Sequence, residues 1–331
     1  MADNPEVNYL SKQSPKDAFK PVIGLIVPCF NELDVLDETN VVLLKKIKEI
    51  AVSGKISGES FILYVDDGSI DGTWRKIVSF SNEDNSVKGI RLSGNRGFQN
   101  AMLAGMEYVA DKCDAAITID ADLQDDPQTI DTLINSYREG TDIVCGVRNN
   151  RDSDTWFKRN TALSFYKIMK ALGVECVYNH ADFRLMSRRA ILDLLDYGER
   201  NIFLRGLVPR LGYKQENIYY SRGVRKAGTT KYPFRKMVEF AIDGITSFSV
   251  KPVRMLFWLG LFFMLAALAI GVYTLIRYFT GETVEGWTSL ILSIWFCTGI
   301  LLIGMGIMGE YIGKIYIEVK HRPRYKIVDE T

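Results

Sequence analysis

The sequence predicts an α/β fold with a mainly parallel sheet, followed by a hairpin of two membrane-spanning helices. Between Val22 and Val147, amphipathic stretches alternate with five short apolar runs: VIGLIV, FILYV, VKGIRL, AAITI and DIVCGV. Such alternation is typical of βα units, which build a parallel sheet covered by helices on both faces. Beyond residue 250 charged residues become sparse and apolar runs long, which indicates a second region in a different solvent.

The N-terminal segment, residues 1–20, is polar and lacks the apolar stretch of a signal peptide or first membrane span. We therefore expect the α/β domain, residues 21–232, to stay in the cytoplasm. The five cysteines form no C-x-x-C pair, which favours a reducing compartment. With 41 Lys and Arg against 40 Asp and Glu, the overall charge gives no reason to expect a nucleic-acid partner.

Two segments before the apolar region are predicted to lie near a membrane. Residues 156–172 interleave basic and aromatic side chains, a pattern that suits a helix lying on an anionic bilayer and equally a surface helix packed on the first domain. Residues 233–252 lead directly into the apolar region and are predicted to form a juxtamembrane helix.

The apolar region, residues 253–312, contains two uncharged runs at 255–276 and 286–309. Each is long enough to cross a hydrocarbon layer of about 30 Å as a helix. Basic residues flank the outer ends of the pair, so both termini are expected in the cytoplasm. The tail, residues 313–331, alternates like a strand and is predicted to pair with another subunit's sheet edge, which favours a homo-oligomer.

The strongest chemical signal is Asp120-Ala121-Asp122, directly after the apolar run AAITI. Two carboxylates separated by one residue at a strand end can both turn toward a divalent cation that also binds a diphosphate. Mg²⁺ or Mn²⁺ is therefore the expected cofactor. Taken alone a D-x-D pair is weak evidence, because acidic turns are common and are usually just solvated.

Other strand ends carry matching signals. The first strand ends in PCFNE, the second in VDDGS followed by DGT, and the third is followed by NRG. In this order these blocks resemble family 2 glycosyltransferases, whose fold is the Rossmann-like GT-A fold, and the resemblance spans about residues 20 to 250.

The resemblance implies a nucleotide-sugar pocket at these strand ends, in which Asp66 pairs with a uracil N–H. An ordinary Asp-Gly turn is the alternative for residues 66–69, and a structural turn for residues 95–97. The implied donor-site residues are Pro28, Phe30, Glu32, Asp66, Asp67, Gly68, Arg96, Asp120 and Gln124.

In the resembling family the second carboxylate of D-x-D coordinates the metal, which here is Asp122. Asp120 then contacts the ribose or supports the metal, and Gln124 joins them. Neutralising the leaving diphosphate is the largest catalytic task, since its oxygens gain charge as the anomeric bond breaks.

A closer resemblance emerges after residue 145. The blocks GVRN, ADFRL, RKAGTTKY and DGITSFSVKPVR, followed by two spans, resemble bacterial polyisoprenyl-phosphate glycosyltransferases, a group related to dolichol-phosphate mannose synthases that includes the GtrB type. This implies transfer of one sugar from a UDP-sugar to a lipid such as undecaprenyl phosphate. Glucose is favoured by that resemblance, while N-acetylglucosamine, galactose and an amino-arabinose derivative stay open.

The acceptor phosphate would need cationic partners. The matching positions are Arg148, Arg159, Arg225 and Lys231, with a hydroxyl from Thr161 or Ser164; for each, plain surface solubility is the alternative. Asp182 is assigned to the active site as a base or as an acceptor for a sugar hydroxyl, with a salt-bridged turn as the alternative. A phosphate monoester is largely ionised at pH 7, so no base is strictly required.

Two rival functions share these signals. A processive polysaccharide synthase has a similar sheet but carries a Q-x-x-R-W motif and a larger membrane region, and this chain has neither. A catalytically silent membrane scaffold would also keep the fold, but the intact D-x-D speaks against it.

Overall fold

The structure is a computed structural model that describes residues 20–148, 180–200, 203–221, 246, 249–280 and 286–331. These residues form one eight-stranded sheet in the order β7-β5-β6-β4-β1-β2-β3-β8. The strands are β1 Ile23–Cys29, β2 Phe61–Asp66, β3 Val87–Leu92, β4 Ala115–Thr118, β5 Ile143–Arg148, β6 His180–Ser187, β7 Gln215–Tyr220 and β8 Ile327–Glu330. The helices are α1 Leu33–Val52, α2 Thr73–Glu83, α3 Phe98–Val109, α4 Thr129–Arg138, α5 Arg188–Asp196, α6 Leu204–Leu207, α7 Lys251–Phe279 and α8 Trp287–Val319, with a 3-10 turn at Val208–Leu211.

The predicted mainly parallel sheet is confirmed. Strand β1 pairs in parallel with β2 and β4, β2 pairs in parallel with β3, and β5 with β7. Strand β6 runs antiparallel between β4 and β5. All five predicted apolar runs are strands, because central strands with helices on both faces are apolar along their whole length.

The sheet has a core on each face. Alternate residues of β1 point to opposite sides: Leu25 and Val27 pack with Leu36 of α1, whereas Ile26 packs with Met106 of α3. Helix α1 connects β1 to β2 on one face of the sheet, and α3 connects β3 to β4 on the other face. The chain therefore reverses its direction of travel at β1. Strands β2 and β3 lie on one side of β1 and β4 on the other, and at such a point the strand ends diverge and leave a crevice.

Helices α7 and α8 are long and apolar enough to cross a membrane, with candidate spans at Lys251–Tyr273 and Phe296–Val319. None of either window is buried inside the protein. The two helices contact each other through Phe263 and Phe296, whose ring centroids are 5.9 Å apart. The first predicted span matches α7, but the second helix runs ten residues past its predicted end at 309.

The predicted tail strand is therefore wrong over residues 313–319, which continue α8. Tyr311 and Glu318 lie two turns apart on one helix face, where the Tyr311 hydroxyl donates to the Ser249 carbonyl and a Glu318 oxygen accepts the Arg200 backbone N–H. Only β8 is a strand, and it pairs antiparallel with β3 of the same chain. This intrachain pairing removes the tail as an argument for a homo-oligomer, which stays a prediction.

Candidate active site

Polar residues follow the carboxyl ends of β1, β2, β3 and β4, so they share one edge of the sheet. Because β1 and β4 are the neighbouring strands at the reversal point, the residues after Cys29 and Thr118 flank the crevice. Asp120 follows β4 by two residues and belongs to the predicted acidic pair. The predicted location of the site at this edge agrees with the general rule for open α/β sheets.

The turn after β2 is built around Asp66 and Gly68. One oxygen of Asp66, Oδ1, accepts the backbone N–H of Ser69 at 3.0 Å. The other, Oδ2, lies 3.3 Å from Nε of Arg91 but is buried without a hydrogen-bond partner among the described residues. Burial raises the pKa of this carboxyl, with the Ser69 hydrogen bonds and Arg91 working in the opposite direction.

Gly68 has a backbone reason for its identity. Its φ is +71°, and an added Cβ would lie 2.5 Å from the Cα of Gly94. Glycine is therefore required both for the left-handed turn and for the close approach of the loop after β3. The backbone that approaches Gly68 most closely is that of Gly94 and Asn95 in this loop.

Asp67 ties the turn to that same loop. Its carboxylate accepts the backbone N–H groups of Arg96 at 2.7 Å and Gly97 at 2.9 Å, and the residue is buried. With its oxygens used in this way, Asp67 positions the loop before α3, and its predicted contact with the donor stays a prediction. The Arg96 guanidinium donates to Ser93 at 3.4 Å, and its predicted diphosphate contact stays a prediction.

The end of β1 holds the other predicted donor residues. Pro28 is buried within β1, whereas Phe30 is 37% exposed just beyond it. Asn31 has a φ of 53° and its side chain accepts the Ile70 N–H at 3.0 Å, which joins the loops after β1 and β2. The Glu32 backbone N–H donates to Thr73 at 3.1 Å, at the start of α1.

The acidic loop after β4 is compact and strained. Asp122 Oδ1 accepts the backbone N–H of Gln124 at 3.1 Å, and Leu123 between them has a φ of 51°. A bulky side chain with positive φ is a genuine outlier of the kind that concentrates at functional sites. Both carboxylates of the D-x-D pair lie beyond the end of β4 at Thr118, outside the regular pleat.

Asp120 carries the most strongly perturbed carboxyl of this loop. Burial, followed by the nearby charges of Asp125, Asp182 and Asp122, raises its pKa to about 7 against the opposing charge of Arg148. Four carboxylates thus share one neighbourhood, which is a poor environment for anions and a good one for a cation.

These residues fit a divalent metal that a substrate helps to hold. Within the described ranges no group of three or more His, Cys, Asp or Glu side chains forms a ready-made metal cage. Mg²⁺ is commonly bound by one or two carboxylates and completed by substrate phosphates. Asp120 and Asp122 match that donor set, with Gln124 buried beside them.

Arg148 lies in this neighbourhood, bound to residues that the sequence did not single out. Its Nη2 is 3.0 Å from Asp125, and its Nε is 3.3 Å from the Tyr220 hydroxyl, which itself donates to Asp125. Asp125 is fully buried on the loop after β4. In the structure the guanidinium of Arg148 neutralises the buried Asp125. The predicted contact of Arg148 with the acceptor phosphate stays a prediction.

Asp182 lies in β6 and not in a turn, which corrects the alternative raised from the sequence. Its carboxylate is 2.9 Å from Arg184 and 2.8 Å from Arg205. Burial alone would raise the pKa of Asp182, but Arg205 and Arg184 outweigh it and hold the pKa below its ordinary value. Pairing of β6 with β4 brings this anion beside Asp120.

Several predicted residues lie outside the described ranges. They include the proposed interfacial helix at 156–172, most of the juxtamembrane segment at 233–252, and five acceptor-site candidates: Arg159, Thr161, Ser164, Arg225 and Lys231.

The comparisons agree with this geometry. The model of glycosyl transferase family 2 matches residues 25–195, and the GtrB C-terminal hairpin matches residues 251–315. The chain belongs to glycosyl transferase family 2 and is a glycosyltransferase, as the sequence predicted.

Its relatives cover nearly the whole chain. An uncharacterized glycosyltransferase of Bacillus subtilis, YkoT, is 49% identical over 93% of this chain and 91% of its own. The bactoprenol glucosyl transferase of Shigella phage SfV is 37% identical over 93% of this chain and 98% of its own. Among solved structures, the mannosyltransferase PcManGT from Pyrobaculum calidifontis aligns with 15% identity and a TM-score of 0.42, covering 93% of this chain and 88% of that one.

Proposed function

We propose that the protein transfers one glucose from UDP-glucose to a polyisoprenyl phosphate, such as undecaprenyl phosphate, at the cytoplasmic face of a membrane. The observation that carries this proposal is the carboxylate cluster at the strand-reversal point of a family 2 chain. Relatives named bactoprenol glucosyl transferases, 37% identical over at least 92% of this chain, support the sugar and the lipid.

The donor would bind across the ends of β1, β2 and β4. Oδ2 of Asp66 is buried and has no hydrogen bond among the described residues. It is suited to receive the N–H of a uracil ring, because a buried acceptor without a hydrogen bond gains most from such a donor. Phe30, partly exposed at the neighbouring strand end, would line the nucleoside pocket.

Asp122, Asp120 and Gln124 would hold Mg²⁺ or Mn²⁺ together with the donor diphosphate. The metal supplies positive charge to the diphosphate oxygens as they become the leaving group. Asp182 is held ionised by two arginines, which makes it a weak base and a strong acceptor. We therefore assign it to a hydroxyl of the sugar.

The reaction would be a single displacement. An oxygen of the lipid phosphate forms the new bond to C1 of the sugar while the bond from C1 to UDP breaks, which inverts the anomeric centre. No proton must be removed, because a phosphate monoester is largely ionised at pH 7. Arg148, Arg159, Arg225 and Lys231 are the cations proposed for the acceptor phosphate.

The proposed organisation follows the same division of the chain. Residues 21–232 would form the cytoplasmic catalytic domain, with 156–172 and 233–252 at the membrane surface. The match to the GtrB hairpin and the unburied apolar faces of α7 and α8 support a membrane anchor. Basic residues at both outer ends of the hairpin favour cytoplasmic termini.

The test uses the purified full-length protein in detergent with undecaprenyl phosphate and a panel of UDP-sugars. We expect UDP release with UDP-glucose and one sugar per lipid by mass spectrometry. Asp122→Asn keeps the Oδ1 acceptor for Gln124, so it should retain the melting temperature while losing about 100-fold or more in turnover. Asp196→Asn, at an exposed position on α5, is the matched control.

Other results would select a rival. Products that carry several sugars would indicate a processive synthase. An absence of UDP release with every donor would indicate a silent scaffold, and wild-type turnover in Asp122→Asn would refute the assignment of the metal.

A further inference from the structure

A cavity of about 300 Å³ lies where the end of α8 meets the catalytic domain. Its lining shares no residue with the carboxylate cluster and is rich in cations. Its lining includes Asn100 of α3, Arg200 after α5, Tyr316 at the end of α8, and Lys320, Arg322 and Arg324 in the segment that follows.

The four cations of this cavity have no ion pair with a carboxylate in the part of the chain that the structure describes. The nearest acids are otherwise engaged: Glu318 accepts the backbone N–H of Arg200 at 2.6 Å, and Glu107 accepts the hydroxyl of Tyr325. Glu318 and Glu107 favour the charged form of Arg324 electrostatically, but neither forms an ion pair with a cation of the cavity among the described residues.

Two of the guanidinium groups also have unmet hydrogen-bonding capacity. The Nε atoms of Arg200 and Arg324 are buried without a partner among the described residues. Arg324 does donate through Nη2 to the Tyr197 carbonyl, which fixes its direction. Burial lowers the pKa of Arg324 and the neighbouring charge of Arg200 lowers it too, although Tyr325, Glu318 and Glu107 act in the opposite direction. Buried donors and like charges of this kind destabilise a site unless an anion occupies it.

The chemistry of the anion follows from the adjoining surface. Tyr316 and Ile317 on the last turns of α8 are 59% and 56% exposed, and the Lys320 ammonium lies 3.9 Å from the Tyr316 ring centroid. An apolar helix surface thus leads directly into a cationic cavity at the end of a candidate membrane span. A ligand that matches both parts has an anionic head and hydrocarbon chains.

We propose that this cavity binds the phosphate headgroup of an anionic phospholipid of the surrounding bilayer, with its acyl chains along the end of α8. Basic pockets at the cytoplasmic ends of membrane helices are suited to such headgroups. The bound lipid would fix the catalytic domain against the membrane, because the cavity joins α8 to α3 and to the segment after α5. The site does not depend on the identity of the sugar donor or acceptor.

The experiment titrates the full-length protein in detergent with phosphatidylglycerol or with phosphatidylcholine of the same acyl chains, and follows the melting temperature. Phosphatidylglycerol should raise the melting temperature in a saturable way, and phosphatidylcholine should not. Lys320→Gln combined with Arg322→Gln, both exposed, should weaken the apparent affinity about 30-fold, since each cation near an anionic surface contributes about 1 kcal/mol.

The matched control is Lys45→Gln combined with Arg75→Gln, which removes the same charge from exposed positions on α1 and α2 and should leave the affinity unchanged. Equal shifts with both lipids, or equal affinity in both double variants, would overturn the proposal. An equal shift with inorganic phosphate would point to a soluble anion. If undecaprenyl phosphate instead displaces phosphatidylglycerol and loses its own melting-temperature shift in the cavity variant, the cavity would be assigned to the acceptor. Either the phosphate result or the undecaprenyl phosphate result would also overturn the proposal of a phospholipid site.

Discussion

Asp120→Asn should make the metal-free protein more stable at pH 8, although it removes a proposed metal contact. In the wild type, ionising Asp120 places a charge among Asp122, Asp125 and Asp182 in a partly buried site. Asparagine keeps the size of the side chain and removes the charge. The expected gain in stability is therefore electrostatic and should depend on pH.

The magnitude follows from the shift in pKa. The carboxyl titrates at about 7 in the folded protein against an ordinary value of 3.8, and roughly 3 units at about 1.4 kcal/mol each give an upper limit of about 4 kcal/mol. Partial exposure of the side chain reduces this to about 2 kcal/mol, or about 4–8 °C in melting temperature for a domain of this size. Because the folded pKa is raised, the folded protein holds the proton more tightly, and wild-type stability falls as the pH rises from about 4 to 7 and is level above.

The assay is the melting temperature of full-length protein in detergent with a chelator, between pH 5 and 8. The wild type should lose stability across this range, and Asp120→Asn should lose much less and melt higher at pH 8. Mn²⁺ should then raise the melting temperature of the wild type at pH 8 more than that of the variant. Asp196→Asn should follow the wild type. An Asp120→Asn protein that melts at or below the wild type at pH 8 in chelator would refute the reasoning.

Three further predictions concern other parts of the fold. Gly68→Ala should lower the melting temperature by about 4–8 °C, since a positive φ and a contact at 2.5 Å with Gly94 together correspond to about 2 kcal/mol; an unchanged melting temperature would contradict this. Arg205→Gln removes one of the cations that lower the pKa of Asp182, so the acid limb of the pH–rate profile should move to higher pH, and an unmoved limb would show that turnover does not require ionised Asp182. Deletion of residues 327–331 uncovers the edge of β3, which should lower the melting temperature and increase the aggregated fraction in size-exclusion chromatography; a monodisperse deletion variant of unchanged stability would contradict that role for β8.

The strands that the sequence predicted are those whose burial is visible locally. β1 and β2 are apolar on both faces and buried throughout, so their runs stand out. β7 is half exposed with the polar sequence QENIYY, and β6 includes Arg184, which is 1% exposed and paired with Asp182. In a sequence alone, a charged residue is expected to lie at the surface unless its partner is known. The ADFRL block was therefore open to interpretation as a turn.

Only those parts of the site that belong to short sequence motifs could be predicted from the sequence. The D-x-D pair and the Asp66 turn follow apolar runs, and the structure places both at the same sheet edge. Arg205 and Tyr220 complete the surroundings from positions 23 residues from Asp182 and 95 residues from Asp125. The residues next to Arg205 and Tyr220 in the sequence form no motif that predicts a role in the site. Their contacts with Asp182 and Asp125 exist only after β6 and β7 join the sheet.

These late contacts decide where in the acidic cluster a cation is needed. Asp125 is neutralised by Arg148 and receives the Tyr220 hydroxyl, and Asp182 is neutralised by two arginines. Asp120 has no comparable partner among the causes that set its pKa, which stays near 7. The C-terminal half of the domain thus compensates two of the carboxylates and leaves the demand for positive charge at the D-x-D loop. Under the proposed function, a divalent ion and the diphosphate it carries would therefore be drawn to the end of β4, beside the crevice at β1, and not to Asp182.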